Sequence, residues 1–319
     1  MAGPDVATVR DPERAFAALD LLVRRRLDGL LQGDHAGLRL GPGSDPEEVV
    51  RYRPGEDDVR HIDWNVTARS LEPHVWRPRA EHELEAWVLV DETASMAFGT
   101  TTLEKGDLAA WAAAAVGMLV DGPGNRVGLA RLGAAGIRWE AARPGRVTAR
   151  RLVRSVGERV GADPAPGAAP PSLAAAVGAL ERRARRPGVR VVVTDLIEPD
   201  GRTDRPFPWE PAVRRLAARH DVIVVEVLDP RELDLPDIGL LVLDDPETGR
   251  QREVWTSPRL RLAYAEAAAR HRLNVAEALR SCGAGHVRLR TDSDWVRDLA
   301  RFILTRRRAP RTIPLRRTR

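Results

Sequence analysis

The chain is predicted to be an α/β protein built on a mostly parallel sheet, and three observations predict it. Short apolar, β-branched runs recur at Trp87 to Val90, Val189 to Thr194 and Val222 to Leu228, with stretches of helical spacing between them. Strands that alternate with helices mark a parallel sheet joined by helical crossovers. Two of the runs, VRVVVT and VIVVEVL, are almost continuously apolar, as strands buried on both faces are. Finally, two runs stop directly at an acid, Asp91 and Asp195. Open α/β sheets bind ligands beyond the carboxyl ends of their strands, at the switch point. If these two strands are neighbours, both acids meet in that crevice.

Each element follows in order. Asp11 to Leu31 carries apolar residues at Phe16, Leu19, Leu22, Val23, Leu27, Leu30 and Leu31, which is helical spacing, interrupted by the solvated run Arg24 to Arg26. Gly33 to Pro46 is loop by its glycines and prolines. Tyr52 to Arg69 (YRPGEDDVRHIDWNVTAR) has no clean period. It reads as an ordered, irregular segment lying on a domain surface and held by arginine–carboxylate pairs. His74 to Trp76 is a short strand, and Glu81 to Glu85 leads into the strand at Trp87. Helices follow at Glu104 to Val120, Arg146 to Val160, Ser172 to Arg186 (with Ser172 as N-cap), Trp209 to Arg219 and Pro258 to Leu279. Arg126 to Leu132 and Gly136 to Glu140 are strands, the second paired with the first as a hairpin. Gly161 to Pro171 is a Pro-, Gly- and Ala-rich loop, and Ile238 to Trp255 a hairpin excursion about Asp245 to Gly249. His286 to Arg290 is the last strand. Thr291 to Ser293 then offer N-caps for a helix to about Leu304. The Arg- and Pro-rich tail reads as disordered.

With 319 residues, 43% hydrophobic and 30% charged, the chain can bury a full core as one large domain or two small ones. The single cysteine, Cys282, excludes an internal disulfide and a cysteine metal cage, and fits a reducing cytoplasm. The N-terminus lacks the basic-then-apolar pattern of a signal peptide. The longest apolar run, Leu108 to Val120, has 13 residues, too few to span a bilayer. A cytoplasmic protein without a membrane span is expected. The formal net charge is +5, but the chain from Arg301 onward holds eight arginines and no acid. Removing these leaves 43 basic against 46 acidic residues, so the basicity belongs to the tail. Lys105 is the only lysine among 51 basic residues, which suggests that its compact charge is needed where it stands.

Asp91, Thr93 and Ser95 place a carboxylate and two hydroxyls at alternate positions where a central strand ends. They can point at one spot, and a hard, oxygen-rich cluster of this kind suits Mg²⁺ or Mn²⁺. A turn also prefers Asp, Thr and Ser, so ion site and turn chemistry both stand at this point.

DETASM at Asp91 to Met96 resembles the D-x-S-x-S signature of von Willebrand factor A-type domains, with Thr93 in place of the first serine, and Asp195 in VVTDL matches the later acid of their metal-ion-dependent adhesion site. The segment YRPGEDDVRHIDWNVTAR, followed by PHVWRPRAEHELE and the D-x-T-x-S strand, resembles the bacterial family catalogued as domain of unknown function 58. LRTDSDWVRDLARFI is similar to that family's closing motif, so the resemblance runs from about Leu27 to Leu304. It implies a von Willebrand A-like, doubly wound, mostly parallel sheet with helices on both faces, plus an irregular N-terminal extension. The division it implies is a helix and extension over 1–84, packed on a main domain over 85–305, and a basic tail over 306–319. The resemblance also implies a protein-interaction role beside a MoxR-type AAA+ ATPase, with no established enzymatic activity. Many members carry two N-terminal membrane helices that this chain lacks. The implied ligands are Asp91, Thr93, Ser95 and Asp195. The adhesion site's threonine has no counterpart, because its position aligns with Pro171, or with Ser172 if the register slips by one. Ser172 or Glu92 is left to replace it; otherwise the site is vestigial, with Asp91 and Asp195 capping backbone and pairing with arginines.

Three functions are compatible with these residues. The first is an interaction module, in which the ion keeps a coordination position open for a partner's Glu or Asp. Here Tyr52, Arg53, Asp57, Asp58, Arg60, Asp63, Trp64 and Arg69 form either a second contact surface or a clamp that fastens the extension to the sheet. The second is a metal-dependent hydrolase, opposed by the scatter of the seven histidines and the lack of an obvious base for Ser95. The third is nucleic-acid binding by the tail, opposed by the absence of aromatics there to stack on bases.

Overall fold

The computed structural model describes residues 11–30, 47–54, 58–70, 72–78, 84–122, 124–156, 172–244 and 251–308. Asp57, Pro171, the Gly33 to Pro46 and Gly161 to Pro171 loops and the tail after Arg308 lie outside these residues.

The strands, in chain order, are β1 (Glu47–Arg51), β2 (His74–Pro78), β3 (Glu85–Asp91), β4 (Arg126–Gly133), β5 (Gly136–Arg143), β6 (Val189–Thr194), β7 (Asp221–Leu228), β8 (Leu240–Asp244), β9 (Gln251–Trp255) and β10 (Gly285–Arg290). The helices are α1 (Pro12–Leu30), α2 (Trp64–Ser70), α3 (Lys105–Val120), α4 (Gly145–Arg154), α5 (Leu173–Arg183), α6 (Glu210–Ala217), α7 (Pro258–Cys282) and α8 (Trp295–Arg308).

Six strands make the main sheet in the order β10-β7-β6-β3-β4-β5. All neighbours run parallel except β5, which returns antiparallel along β4. After β3 the chain moves to one side, through β4 and β5. It then crosses to the other side of β3 for β6, β7 and β10. The order therefore reverses between β3 and β6, the doubly wound arrangement that the alternation of strands and helices predicts. β3 and β6 are hydrogen-bonded neighbours with Val90 opposite Val193, so the acids that follow them emerge side by side.

The period of two along each strand separates two apolar layers. Ala86, Val88 and Val90 of β3, with Val189, Val191 and Val193 of β6, face α1, α3, α4 and α8. Trp87, Leu89 and Val192 face α5, α6 and α7. α3 is apolar around nearly its whole circumference and buried accordingly, from Leu108 through Gly117 and again at Leu119 and Val120. A helix hydrophobic on every side must be enclosed on every side, and α3 lies between the sheet and the helices outside it. α1 is part of this core: Phe16 is 3% exposed under the Arg146 and Arg150 guanidinium groups, and Arg146 forks onto Asp20 at 2.9 and 3.0 Å.

Several expected boundaries shift for local reasons. α8 is capped by Asp294, whose carboxylate accepts the Arg297 N–H, and not by Thr291 to Ser293. Thr291 is buried and its hydroxyl donates to Asp229 instead. α7 runs on to Cys282 because Gly283 takes the left-handed conformation (φ 79°) that closes a helix.

The segment from Tyr52 to Arg69 is more regular than its sequence suggests, since it contains a 3-10 turn and the two-turn helix α2. Its two described acids serve the backbone. Asp58 accepts the Arg60 N–H, and Asp63 accepts the Asn65 and Val66 N–H groups at the start of α2. The segment closes on the β1–β2 ribbon through Tyr52 N–H to Pro73 O and Asp63 N–H to His74 O. The expected Trp64 clamp is not present: with Asp63 as the cap, Trp64 falls in the first turn of a helix that buries none of its residues, and is 71% exposed. Tyr52 is half-buried, and Arg53, Arg60 and Arg69 are exposed.

Candidate functional site

The carboxyl ends of β3 and β6 open into a crevice of about 800 Å³. Its floor carries Asp91, Thr93, Ser95, Lys105, Glu198 and Glu232. Much of the remaining lining is apolar, from Phe98, Leu132, Leu173, Ile197, Leu235, Leu241 and Val242, with Thr100, Arg231 and Tyr264 among them. β8 thus forms part of the crevice.

Asp91 is 5% exposed. Its Oδ1 accepts the Thr93 N–H at 3.0 Å and the Thr93 hydroxyl at 2.7 Å, and its Oδ2 accepts the Thr194 hydroxyl at 2.7 Å. Thr93 Oγ1 and Ser95 Oγ are 3.3 Å apart. The D-x-T-x-S residues therefore converge as their spacing suggests. Burial pushes Asp91 up to about 6, with the charge of Asp195 adding to it, against the three hydrogen bonds that pull the other way.

Asp195 is fully buried. Its Oδ1 accepts the Ile197 N–H at 3.0 Å, and its Oδ2 accepts from the Lys105 ammonium at 2.8 Å. Lys105 is 1% exposed at the first turn of α3, and donates also to Glu232 Oε1. Burial pushes this ammonium down, but the charges of Asp195 and Glu232 outweigh it and hold the group above its ordinary value. Glu232 is fixed in turn by a capping box in which its second oxygen accepts the Asp229 N–H. Asp229, 0% exposed, accepts the Thr100 N–H and hydroxyl and the Thr291 hydroxyl. One carboxylate thus ties together the loops that follow β3, β7 and β10. Glu198 is 8% exposed; burial, with Asp200 beside it, pushes its carboxyl up to about 7.

The arrangement bears on whether a divalent ion belongs here. Asp91, Thr93 and Ser95 form a hard-oxygen cluster that suits one. The other half of the expected ligand set is committed elsewhere. Asp195 already faces a cation, the Lys105 ammonium. Ser172 caps α5 by accepting the Ala175 N–H and does not line the crevice. Glu92 turns away onto Arg131 and Arg138. Among the described residues no group of three or more His, Cys, Asp or Glu side chains is placed to hold a metal. The residues present do not fit the full adhesion-site arrangement, and Lys105 supplies positive charge where the ion would neutralise Asp195.

Sequence reasoning singled out Lys105 as the lone lysine but did not place it in the site; only the packing of α3 against β6 does that. Glu232 was legible in principle, because Asp229-Pro230-Arg231-Glu232 has capping-box spacing. Thr194 and Glu198 flank Asp195 and carry no signal of their own beyond that proximity.

Comparison with known proteins adds the family. The model described as protein of unknown function DUF58 matches residues 48–274. The chain is 45% identical over 302 residues to uncharacterized protein Mb1516 of Mycobacterium bovis, spanning 94% of this chain and 92% of that one. It is 45% identical, over the same shares, to uncharacterized protein Rv1480 of Mycobacterium tuberculosis. Among solved structures, conserved hypothetical protein BatB from Bacteroides thetaiotaomicron is similar at 14% identity and a TM-score of 0.42, over 71% of this chain and 100% of that one. Among the described residues no helix is long and apolar enough to cross a membrane. With the family match running from β1 into α7 and taking in Asp91 and Asp195, the acids at the ends of β3 and β6, the chain belongs to the family described as protein of unknown function DUF58.

Proposed function

We propose that the chain is a non-enzymatic protein-interaction module whose crevice, at the ends of β3 and β6, receives a partner protein without the help of a divalent ion. The observation that carries this reading is the Lys105 ammonium seated on Asp195 at the floor of an apolar-walled crevice. Apolar walls around a few fixed polar groups are what a recognition site needs. A hydrolytic role finds less support: no histidine or cysteine lines the crevice among the described residues, and the neighbour of Ser95 Oγ is the Thr93 hydroxyl rather than a base. The partner class implied by the family resemblance is a MoxR-type AAA+ ATPase.

The experiment is a binding titration with a purified MoxR-type ATPase. Ile197, 40% exposed in the crevice lining, can be changed to Asn without touching the core. Ile197→Asn is expected to weaken binding about tenfold or more, the equivalent of about 1.4 kcal/mol, with an unchanged melting temperature. Trp64→Ala is expected to leave binding intact. If the Trp64 variant loses binding and the Ile197 variant keeps it, the contact lies on the Tyr52 to Arg69 surface and the crevice reading falls.

The competing reading is a Mg²⁺ or Mn²⁺ ion held by Asp91, Thr93 and Ser95, with Asp195 and Ser172 completing the set, and the convergence of the first three favours it. The two readings separate in a thermal melt. An ion at about 100 times its dissociation constant adds roughly 2.7 kcal/mol, which for a domain of this size is about 5–10 °C. We expect the same melting temperature in chelator and in millimolar Mg²⁺ or Mn²⁺. A rise of that order, abolished by Asp91→Ala, would restore the metal reading.

A further inference from the structure

Building on the reading of the crevice as a protein-contact site, we infer that the group it receives is a basic side chain of the partner, an arginine or a lysine, and not the acidic one that a metal-loaded adhesion site takes. The floor is anionic. Asp91, Glu198 and Glu232 line it with Asp195 directly behind, against Lys105 and Arg231. Of the two cations, Lys105 is already committed to Asp195 and Glu232. Arg231, the other, is exposed, and among the described residues neither Asp91 nor Glu198 has an ion pair. Among those residues Asp91 receives hydroxyl and amide hydrogen bonds alone. Glu198 is buried, and its carboxylate makes no hydrogen bond or ion pair with any described residue; the nearby Arg202 is paired with Asp200.

A buried carboxylate without a partner is costly, and the cost is relieved by a cation that brings its own hydrogen-bond donors. The walls suit the rest of the side chain. Phe98, Leu132, Leu173 and Ile197 offer apolar surface to the methylene stem, and arginine and lysine bury that stem while the charged head seeks polar partners. A guanidinium fits best, because its fork can reach two carboxylate oxygens at once. A partner carboxylate would meet Asp91 and Glu198 with like charge.

The test uses the full chain, methyl-labelled for NMR, in chelator. The probes are Nα-acetyl-arginine amide and Nα-acetyl-glutamate amide, matched except for the side chain. The arginine probe is expected to shift the methyl signals of Leu132, Leu173 and Ile197 and to bind at least about fivefold tighter than the glutamate probe. In Glu198→Gln that preference is expected to fall below about twofold. Asp91→Asn should lower it as well, and serves if the first variant does not fold. The inference is overturned if the glutamate probe binds as well or better, with or without Mn²⁺, or if the preference survives in both variants. It is also overturned if neither probe moves the crevice methyls. Failure of the underlying reading looks different: the uncharged variant Ile197→Asn would then leave ATPase binding unchanged, whereas a wrong charge preference alone leaves the Ile197 effect in place.

Discussion

Glu226→Gln is expected to destabilise the protein by about 3–5 kcal/mol at neutral pH, because it removes the carboxylate that balances the buried Arg272 guanidinium. Glu226 is 0% exposed in the middle of β7. It accepts from Arg272 Nη1 at 2.8 Å, His286 Nε2 at 2.7 Å and Arg288 Nε at 3.0 Å. Glutamine keeps the volume and loses the charge, so Arg272, with a side chain only 8% exposed, is left buried beside an amide. At roughly 2–4 °C per kcal/mol for a domain of a couple of hundred residues, the melting temperature should fall by about 10 °C. The double variant Glu226→Gln, Arg272→Met should recover much of the loss, since a buried ion pair replaced by apolar volume is often neutral. If the double variant is as unstable as the single one, the loss comes from packing rather than from charge.

The same carboxylate sets a pH window. Burial pushes Glu226 up, but the hydrogen bond from His286 and the charge of Arg272 outweigh it and hold the acid at about 2, against an ordinary 4.5. A depressed acid contributes stability that is fully present above its unfolded value and is lost as pH falls through the folded one. The gap between wild type and Glu226→Gln, read by urea unfolding, should therefore be constant above pH about 4.5 and close between about 4.5 and 2. A gap that stays constant through that range would mean Glu226 is not ionised in the folded state.

How much of this could be read in advance depended on whether the signal was local. β6 and β7 announce themselves, because a run such as VRVVVT has no stable place except between two apolar layers. Asp91, Thr93 and Ser95 converge because neighbours in sequence at a strand end stay neighbours in space. Trp64 failed for the opposite reason. An aromatic amid dense charge looks like an anchor, but Asp63 as a helix cap sets the phase of α2 and turns Trp64 outward. Lys105 and Asp195 are 90 positions apart, and Lys105 and Glu232 are 127 apart. No periodicity spans such distances; the pairing appears only when the sheet order brings α3 and the end of β6 together. Glu226 was read simply as part of an apolar strand. Its charge makes sense once Arg272 of α7 and Arg288 of β10 are seen to converge on it from different parts of the chain.

Lys105→Met should cost about as much as the Glu226 change, about 3–5 kcal/mol, and its consequences separate the two views of the crevice. Methionine has similar length and no charge. It would leave Asp195, at zero exposure, facing Glu232 without the ammonium between them. Two carboxylates left to share a buried site repel one another, and that repulsion adds to the loss of the ammonium's hydrogen bonds. Adding Asp195→Asn to Lys105→Met removes the stranded charge and should restore part of the stability. Lys105→Arg should not rescue fully, because the broad guanidinium does not fit a pocket built around a compact ammonium. If Lys105 stands in for an ion, removing it should also make the crevice responsive to one: Mn²⁺ should raise the melting temperature of Lys105→Met and leave that of the wild type unchanged. The reverse result, with Mn²⁺ stabilising the wild type and the lysine variant losing that response, would make Lys105 a support for a bound ion rather than its replacement. The two outcomes differ in sign within one set of melts, so the experiment decides between them without knowledge of the partner.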